Sequence, residues 1–135
     1  MKNTFVILSI SFMLVINACS QGKRNNMDFL VTQCDEDTII KLGDLCGQYA
    51  ARNISLKVTG MIDDSANVSV GYDVLQPNDI IGFRLGEGKV AVEGKQEVYQ
   101  QDCKIVYLHN KATKGQLKIR LQLLSPNGDT LSDNE

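Results

Sequence analysis

Residues 117–123 read Leu-Lys-Ile-Arg-Leu-Gln-Leu, a strict alternation of aliphatic and polar side chains. Successive side chains along a β-strand point to opposite faces, so this period of two predicts a strand with one buried and one solvated face. Alternation of this kind is typical of antiparallel sheets that cover a core on one side. The stretch therefore predicts an all-β domain.

The same alternation recurs upstream, in runs separated by turn-forming residues. Further strands are predicted at residues 29–32, 38–42, 54–59, 68–74, 81–85, 90–92 and 105–107. Asp, Asn, Gly, Ser and Pro, which favour turn dihedral angles, fill the breaks at residues 63–65, 76–79, 86–89 and 126–129. We interpret Gly86-Glu87-Gly88 as a hairpin turn and residues 43–49 as an irregular or single-turn segment. Six to eight short strands in about 100 residues predict an antiparallel β-sandwich, with a small β-barrel as the alternative.

The N-terminal segment has the features of an export signal. Lys2 precedes an apolar run at residues 5–16, and the segment ends at Ala18-Cys19. A run of about twelve residues spans roughly 18 Å as a helix, which is too short for a hydrocarbon core of about 30 Å. The segment is therefore predicted to be a signal peptide rather than a membrane span.

The end of this signal resembles the lipobox of bacterial lipoproteins. In that family the cysteine is diacylated and becomes the first residue of the mature chain, which implies lipidation of Cys19. The implied organisation is a lipoprotein signal peptide at 1–18, a lipidated cysteine and flexible tether at 19–27, and a single β-sandwich domain at 28–135. Ordinary signal-peptidase cleavage after Ala18 is the alternative.

The resemblance also implies a location. We expect an exported protein that is lipid-anchored to the cell envelope, so that the membrane itself is one partner. Ser20 follows the cysteine, where the enterobacterial sorting pattern for inner-membrane retention has an aspartate. Its absence favours the outer membrane.

The charge balance argues against a nucleic-acid partner. Of the 14 basic side chains only Lys2 lies in the signal peptide, so the mature chain keeps 13 basic against 16 acidic side chains. A chain with a net charge of about −3 and no basic stripe has little with which to neutralise phosphates.

Three cysteines remain after the lipobox, namely Cys34, Cys46 and Cys103. Because the exported compartment is oxidising, we expect one disulfide among them, with all three pairings open. No two of these cysteines have CxxC spacing, and the single histidine, His109, is distant in sequence from two of them. We therefore expect neither a metal site nor another cofactor.

Catalytic motifs are also missing from the sequence. His109 lies in a polar loop, and the chain contains no GxSxG motif and no papain-like cysteine context. The acidic groups at 35–37 and 63–64 lack the spaced oxygens and glycine of a calcium loop. We therefore expect a protein that is not an enzyme.

Two polar loops are the candidate binding elements, because binding residues are concentrated on loops that a rigid scaffold positions. They contain Tyr99, Gln100, Gln101, Asp102, His109, Asn110 and Lys111.

Three short motifs carry a possible modification. Asp37-Thr38-Ile39, Asp64-Ser65-Ala66 and Asp129-Thr130-Leu131 resemble the Asp-Ser/Thr-apolar acceptor of exported Bacteroidota O-glycoproteins. The resemblance implies surface glycans on Thr38, Ser65 and Thr130. Ordinary turn chemistry of Asp, Ser and Thr is the alternative.

Taken together, these features favour a membrane-anchored, non-catalytic binding module for an envelope protein or glycan. The alternative is an inhibitor or immunity protein that acts against an envelope-attacking enzyme. An envelope hydrolase is the third hypothesis, and the least favoured.

Overall fold

The strand that the alternation at 117–123 predicts is present as β8 (Gly115–Leu124). The computed structural model describes residues 25–49, 51–73 and 79–131. The four aliphatic side chains of the motif are fully buried, whereas Lys118 and Arg120 between them are exposed. The prediction of one dry and one wet face is confirmed.

Seven more strands and one short helix complete the described part of the chain. They are β1 (Asn26–Val31), β2 (Thr38–Asp44), α1 (Leu45–Tyr49), β3 (Asn53–Ile62), β4 (Ala66–Tyr72), β5 (Asp79–Leu85), β6 (Gly88–Glu97) and β7 (Asp102–Leu108). The first strand begins at Asn26, inside the segment that was expected to be tether. Helix α1 occupies the segment expected to be irregular or a single turn.

The strands form two four-stranded antiparallel sheets, in the orders β1-β8-β3-β6 and β2-β7-β4-β5. The buried faces of both sheets contribute to one apolar core. The predicted antiparallel β-sandwich is therefore confirmed. The barrel alternative is wrong, because among the described residues no ladder joins the edge strands of one sheet to those of the other.

The topology is that of one long antiparallel β-hairpin, of four strand pairs in succession, that is folded over itself. Strand β4 pairs with β5, β3 with β6, β2 with β7 and β1 with β8, and the hairpin alternates between the sheets. This is the jelly-roll arrangement of eight antiparallel strands. Residues 86–87 consequently connect strands in different sheets. The interpretation of Gly86-Glu87-Gly88 as a hairpin turn was wrong, because β5 and β6 each pair with other partners.

The strand directions group the connections into two ends. At the N-terminal end lie the start of β1, the α1 segment, the β6–β7 connection and the C-terminal turn at 125–129, where Leu124 bridges Thr130. At the far end lie the connections 32–37, 63–65, 86–87 and 109–114. Any site built from loops must belong to one end or the other.

Candidate functional site

The two predicted binding loops lie at opposite ends of the domain. Residues 99–102 lead into the start of β7 at the N-terminal end, and residues 109–111 follow its last residue, Leu108, at the far end. The 7 residues of this strand separate them, a distance of about 20 Å at the usual rise per residue. They therefore cannot belong to one site.

The β6–β7 loop, residues 98–101, is held firmly by its surroundings. Its Val98 N–H donates to the Arg52 carbonyl at 3.0 Å, and the Tyr99 N–H donates to the hydroxyl of Tyr72, also at 3.0 Å. A further bond inside the loop joins the Gln101 N–H to the Tyr99 carbonyl at 2.8 Å. Two of these bonds attach the loop backbone to neighbouring elements, and the third closes a turn within the loop.

Tyr99 is the most exposed large hydrophobic side chain in the described chain, with 65% of its surface accessible. It lines an open cleft of about 470 Å³ together with Arg52, Glu97 and Gln100. An adjoining cleft of about 520 Å³ shares Asn53 and Glu97 with it. Both clefts are open to solvent and are lined mainly by polar side chains. We call the two together the Tyr99 cleft.

The opposite wall of the Tyr99 cleft is the C-terminal turn, which Asn53 positions. Its side-chain amide donates to the carbonyls of Ser125 at 3.2 Å and Pro126 at 3.4 Å. The Arg52 N–H donates to the Leu124 carbonyl at 3.2 Å. Asn53 and the turn were not among the predicted site residues. Since they lie 72 residues apart along the chain, no local sequence signal could have joined them.

The far-end loop, residues 109–114, is fixed by two carboxylates from other connections. One oxygen of Asp37 accepts the backbone N–H of His109 at 2.9 Å and contacts its ring Nδ1 at 2.5 Å. Asp63 accepts the hydroxyl of Thr113 at 2.5 Å and the N–H groups of Thr113 and Lys114 at 2.8 and 3.0 Å. Sequence reasoning considered both acidic groups as calcium ligands and missed this role.

These hydrogen bonds stabilise the ionised carboxylates. The Lys114 N–H, followed by the hydroxyl and N–H of Thr113, lowers the pKa of Asp63 from 3.8 to about 2. The backbone N–H of His109, followed by its ring, lowers the pKa of Asp37. The folded chain therefore stabilises the ionised form of each carboxylate more than the unfolded chain does.

Acid is expected to weaken the far-end loop through Asp63. Because its folded pKa lies below the unfolded value, its contribution to the free energy of unfolding is present above about pH 4 and lost as the pH falls toward 2. We expect Asp63→Asn to lower the melting temperature at pH 7 and to flatten its fall between pH 4 and 2. Thermal melts across that range check this, with Asp35→Asn, a change to an exposed carboxylate in the 32–37 connection, as the control. Parallel pH profiles of Asp63→Asn and the unchanged protein would contradict it.

Cys34, Cys46 and Cys103 are all buried, and the structure contains no disulfide bond among these three residues. Cys34 lies at the far end, where its carbonyl accepts the Tyr107 hydroxyl at 2.8 Å. Cys46 and Cys103 lie at the N-terminal end, on α1 and β7. The fold therefore brings two of the three candidates together and keeps the third apart.

The remaining predicted residues are distributed as follows. Thr38 and Ser65 are half-buried at the far end, and Thr130 is exposed at the N-terminal end. Cys19 and the signal peptide lie outside the described residues. Over residues 25–131, leaving out the segments not described, no three His, Cys, Asp or Glu side chains are grouped so as to hold a metal ion. Within the same part of the chain, no helix has the length and apolar character needed to cross a membrane.

Comparison with known proteins places the chain in no family. No protein-family model matches it, and a search of curated proteins finds no relative. One similar solved structure, described as "CBM4 structure and function", has a TM-score of 0.38 and 9% identity over 62% of this chain. The match spans 54% of that protein, so this chain corresponds to about half of its length.

A second similar structure comes from work described as "Bacillus endospore appendages form a novel family of disulfide-linked pili". It has a TM-score of 0.39 and 12% identity, over 87% of this chain and 98% of that one. At these TM-scores no property of either protein is carried over to this chain.

Proposed function

We propose that the protein is a non-catalytic glycan-binding module, anchored in the bacterial outer membrane through lipidated Cys19. The observation that carries the proposal is the exposed ring of Tyr99 beside an open cleft whose backbone is fixed on both sides. A rigid aromatic platform costs little conformational entropy when a ligand is bound.

The chemistry of the Tyr99 cleft suits a sugar chain. The faces of a pyranose ring carry C–H groups that pack against an aromatic face, and its hydroxyls need both donors and acceptors. Tyr99 supplies the aromatic face, Arg52 supplies donors, Glu97 supplies acceptors, and Gln100 supplies both. An open cleft also admits an internal segment of a polymer rather than only its end.

The position of the tether favours a glycan chain over a large globular protein as the ligand. Strand β1 begins at Asn26 at the N-terminal end, and the residues between it and Cys19 extend over at most about 25 Å. In the anchored protein the tether thus keeps the end of the domain that carries the Tyr99 cleft within about 25 Å of the lipid surface. A glycan chain can reach such a cleft from the side, whereas a large globular partner meets the membrane first.

Replacing Tyr99 with alanine tests the proposal. We expect Tyr99→Ala to weaken binding to polysaccharide extracted from the organism's own envelope at least about tenfold, or about 1.4 kcal/mol. Calorimetric titration measures this, and Tyr99→Phe should retain most of the affinity because it keeps the ring.

Leu30→Ala is the matched control, since Leu30 is 61% exposed but lies on edge strand β1 outside the Tyr99 cleft. Equal affinities for Tyr99→Ala and Leu30→Ala would sink the assignment of the cleft.

A second candidate is an inhibitor that uses the far-end loop at 109–114. The observation that favours it is the double attachment of this loop to Asp37 and Asp63, which keeps it in one conformation. The loop also lies at the end of the domain opposite the start of β1, to which the tether is attached, so a globular enzyme can reach it. Loss of a protein partner in Lys111→Glu, with binding intact in Tyr99→Ala, would favour this candidate over the glycan-binding module.

A further inference from the structure

Two buried thiols lie directly beneath the loop that carries Tyr99. The Cys46 thiol donates to the Val98 carbonyl at 3.1 Å, and the Cys103 thiol donates to the Gln101 carbonyl at 3.4 Å. Val98 and Gln101 are the first and last residues of the four-residue loop 98–101. Both sulfurs therefore lie under the same short stretch of backbone.

The register of the sheet brings Cys103 of β7 close to Cys46, which lies on the helix that follows β2. Gly43 of β2 is the partner of Cys103 on β7, and α1 begins two residues later. Leu45 and Cys46 are the first two residues of that helix, and both are buried. Burial raises the pKa of Cys103 to about 11, with the Cys46 thiol as the next cause. Both thiols thus lie within hydrogen-bonding distance of the same four-residue loop, in a largely buried site.

Cys34 is excluded from this arrangement by distance. It contacts the hydroxyl of Tyr107 at the far end, whereas Cys103 lies four residues earlier on the same strand. Four residues of strand span about 13 Å, and disulfides need Cα atoms within about 7 Å.

We propose that Cys46 and Cys103 form a disulfide bond in the exported protein and that Cys34 remains a thiol. The inference extends the proposed function, since it needs export to an oxidising compartment but not the binding of a glycan.

The oxidant is an external disulfide, either of a protein or of a small molecule. Cys46, at 7% exposure against 0% for Cys103, is the more accessible of the two residues. Its thiolate attacks one oxidant sulfur and releases the other as a thiolate, leaving a mixed disulfide. The Cys103 sulfur then attacks the Cys46 sulfur and loses its proton to the departing thiolate. The protein loses two hydrogen atoms, and the oxidant is reduced to two thiols.

The bond changes the support of the Tyr99 loop. It replaces two S–H hydrogen bonds with a covalent link between α1 and β7, beneath residues 98–101. The link also closes a long loop of chain, which is the case in which a cross-link restricts the unfolded state most.

Peptide mapping without reduction tests the pairing. The full lipidated chain is isolated from envelopes in detergent, its free thiols are alkylated after denaturation, and trypsin is added. We expect peptides 42–52 and 96–104 to be joined, and peptide 25–41, which contains Cys34, to be alkylated. Alkylation of all three cysteines, or a link that includes Cys34, would overturn the proposal.

A second measurement tests whether the sulfurs of Cys46 and Cys103 can form the bond without export of the protein. The same chain, reduced and then incubated with oxidised glutathione, should form the 46–103 link in vitro. Its melting midpoint should rise by more than about 10 °C relative to the reduced form. Cys34→Ser should keep this redox dependence, and Cys46→Ser should lose it. A stable mixed disulfide with glutathione that never resolves would show that the two sulfurs cannot meet.

Discussion

Gly115→Ala is expected to prevent stable folding of the domain. Gly115 has φ +139°, and a Cβ atom there would lie 2.2 Å from the carbonyl oxygen of Met61 and 2.8 Å from the Cα of Ile62. Both contacts are with the backbone of β3, the neighbour of β8 in the centre of one sheet. This overlap of the added Cβ atom with the backbone can be relieved only if β3 and β8 move apart. We expect a loss of at least about 4 kcal/mol, a large fraction of the total stability of a small domain.

A similar close approach exists two residues further along the β3–β8 ladder. Gly60 of β3 has φ +141°, and its Cβ would lie 2.1 Å from the Gln116 carbonyl oxygen. Gly60→Ala should therefore be as damaging as Gly115→Ala. Gly86→Ala is the matched control, because nothing lies within 4 Å of the position of its Cβ. Urea unfolding followed by circular dichroism measures all three, and native-like stability of Gly115→Ala would contradict the β3–β8 pairing.

Cys19→Ser is expected to release the protein from membranes almost completely. Each buried methylene contributes about 0.8 kcal/mol, so two or three acyl chains account for nearly all the membrane affinity of a domain with this anchor. Detergent-phase partitioning of envelope fractions measures the change. The control is Cys34→Ser, a change to a buried thiol inside the domain that leaves the lipobox intact. Unchanged partitioning of Cys19→Ser would remove the lipoprotein assignment.

Individual strands were predictable because alternation is a local signal. The core positions of β3 and β8 follow directly from Ile54, Leu56 and Val58 and from the motif at 117–123. The order of strands was not predictable, because pairing joins residues distant in sequence. Gly86-Glu87-Gly88 illustrates the limit, since its composition favours a tight turn but does not specify whether the next strand pairs back or crosses to the other sheet.

The candidate site was predictable only in part, for the same reason. Tyr99 and Gln100 were identified from the polar loop that contains them, and the structure places both at a cleft. Asn53 and the turn at 125–129 could not be found, because the cleft forms only when β3, β6 and the chain after β8 meet. The separation of residues 99–102 from 109–111 also follows from strand direction rather than from composition.

Site-specific photocrosslinking in living cells tests the proposed glycan-binding role most directly. A photoreactive amino acid is placed at position 99 in one strain and at position 111 in another, each in the lipidated full-length protein. The glycan-binding proposal predicts carbohydrate-containing conjugates from position 99 and none from position 111. Protein conjugates from position 111, with none from position 99, would contradict it and favour the far-end loop as the binding element.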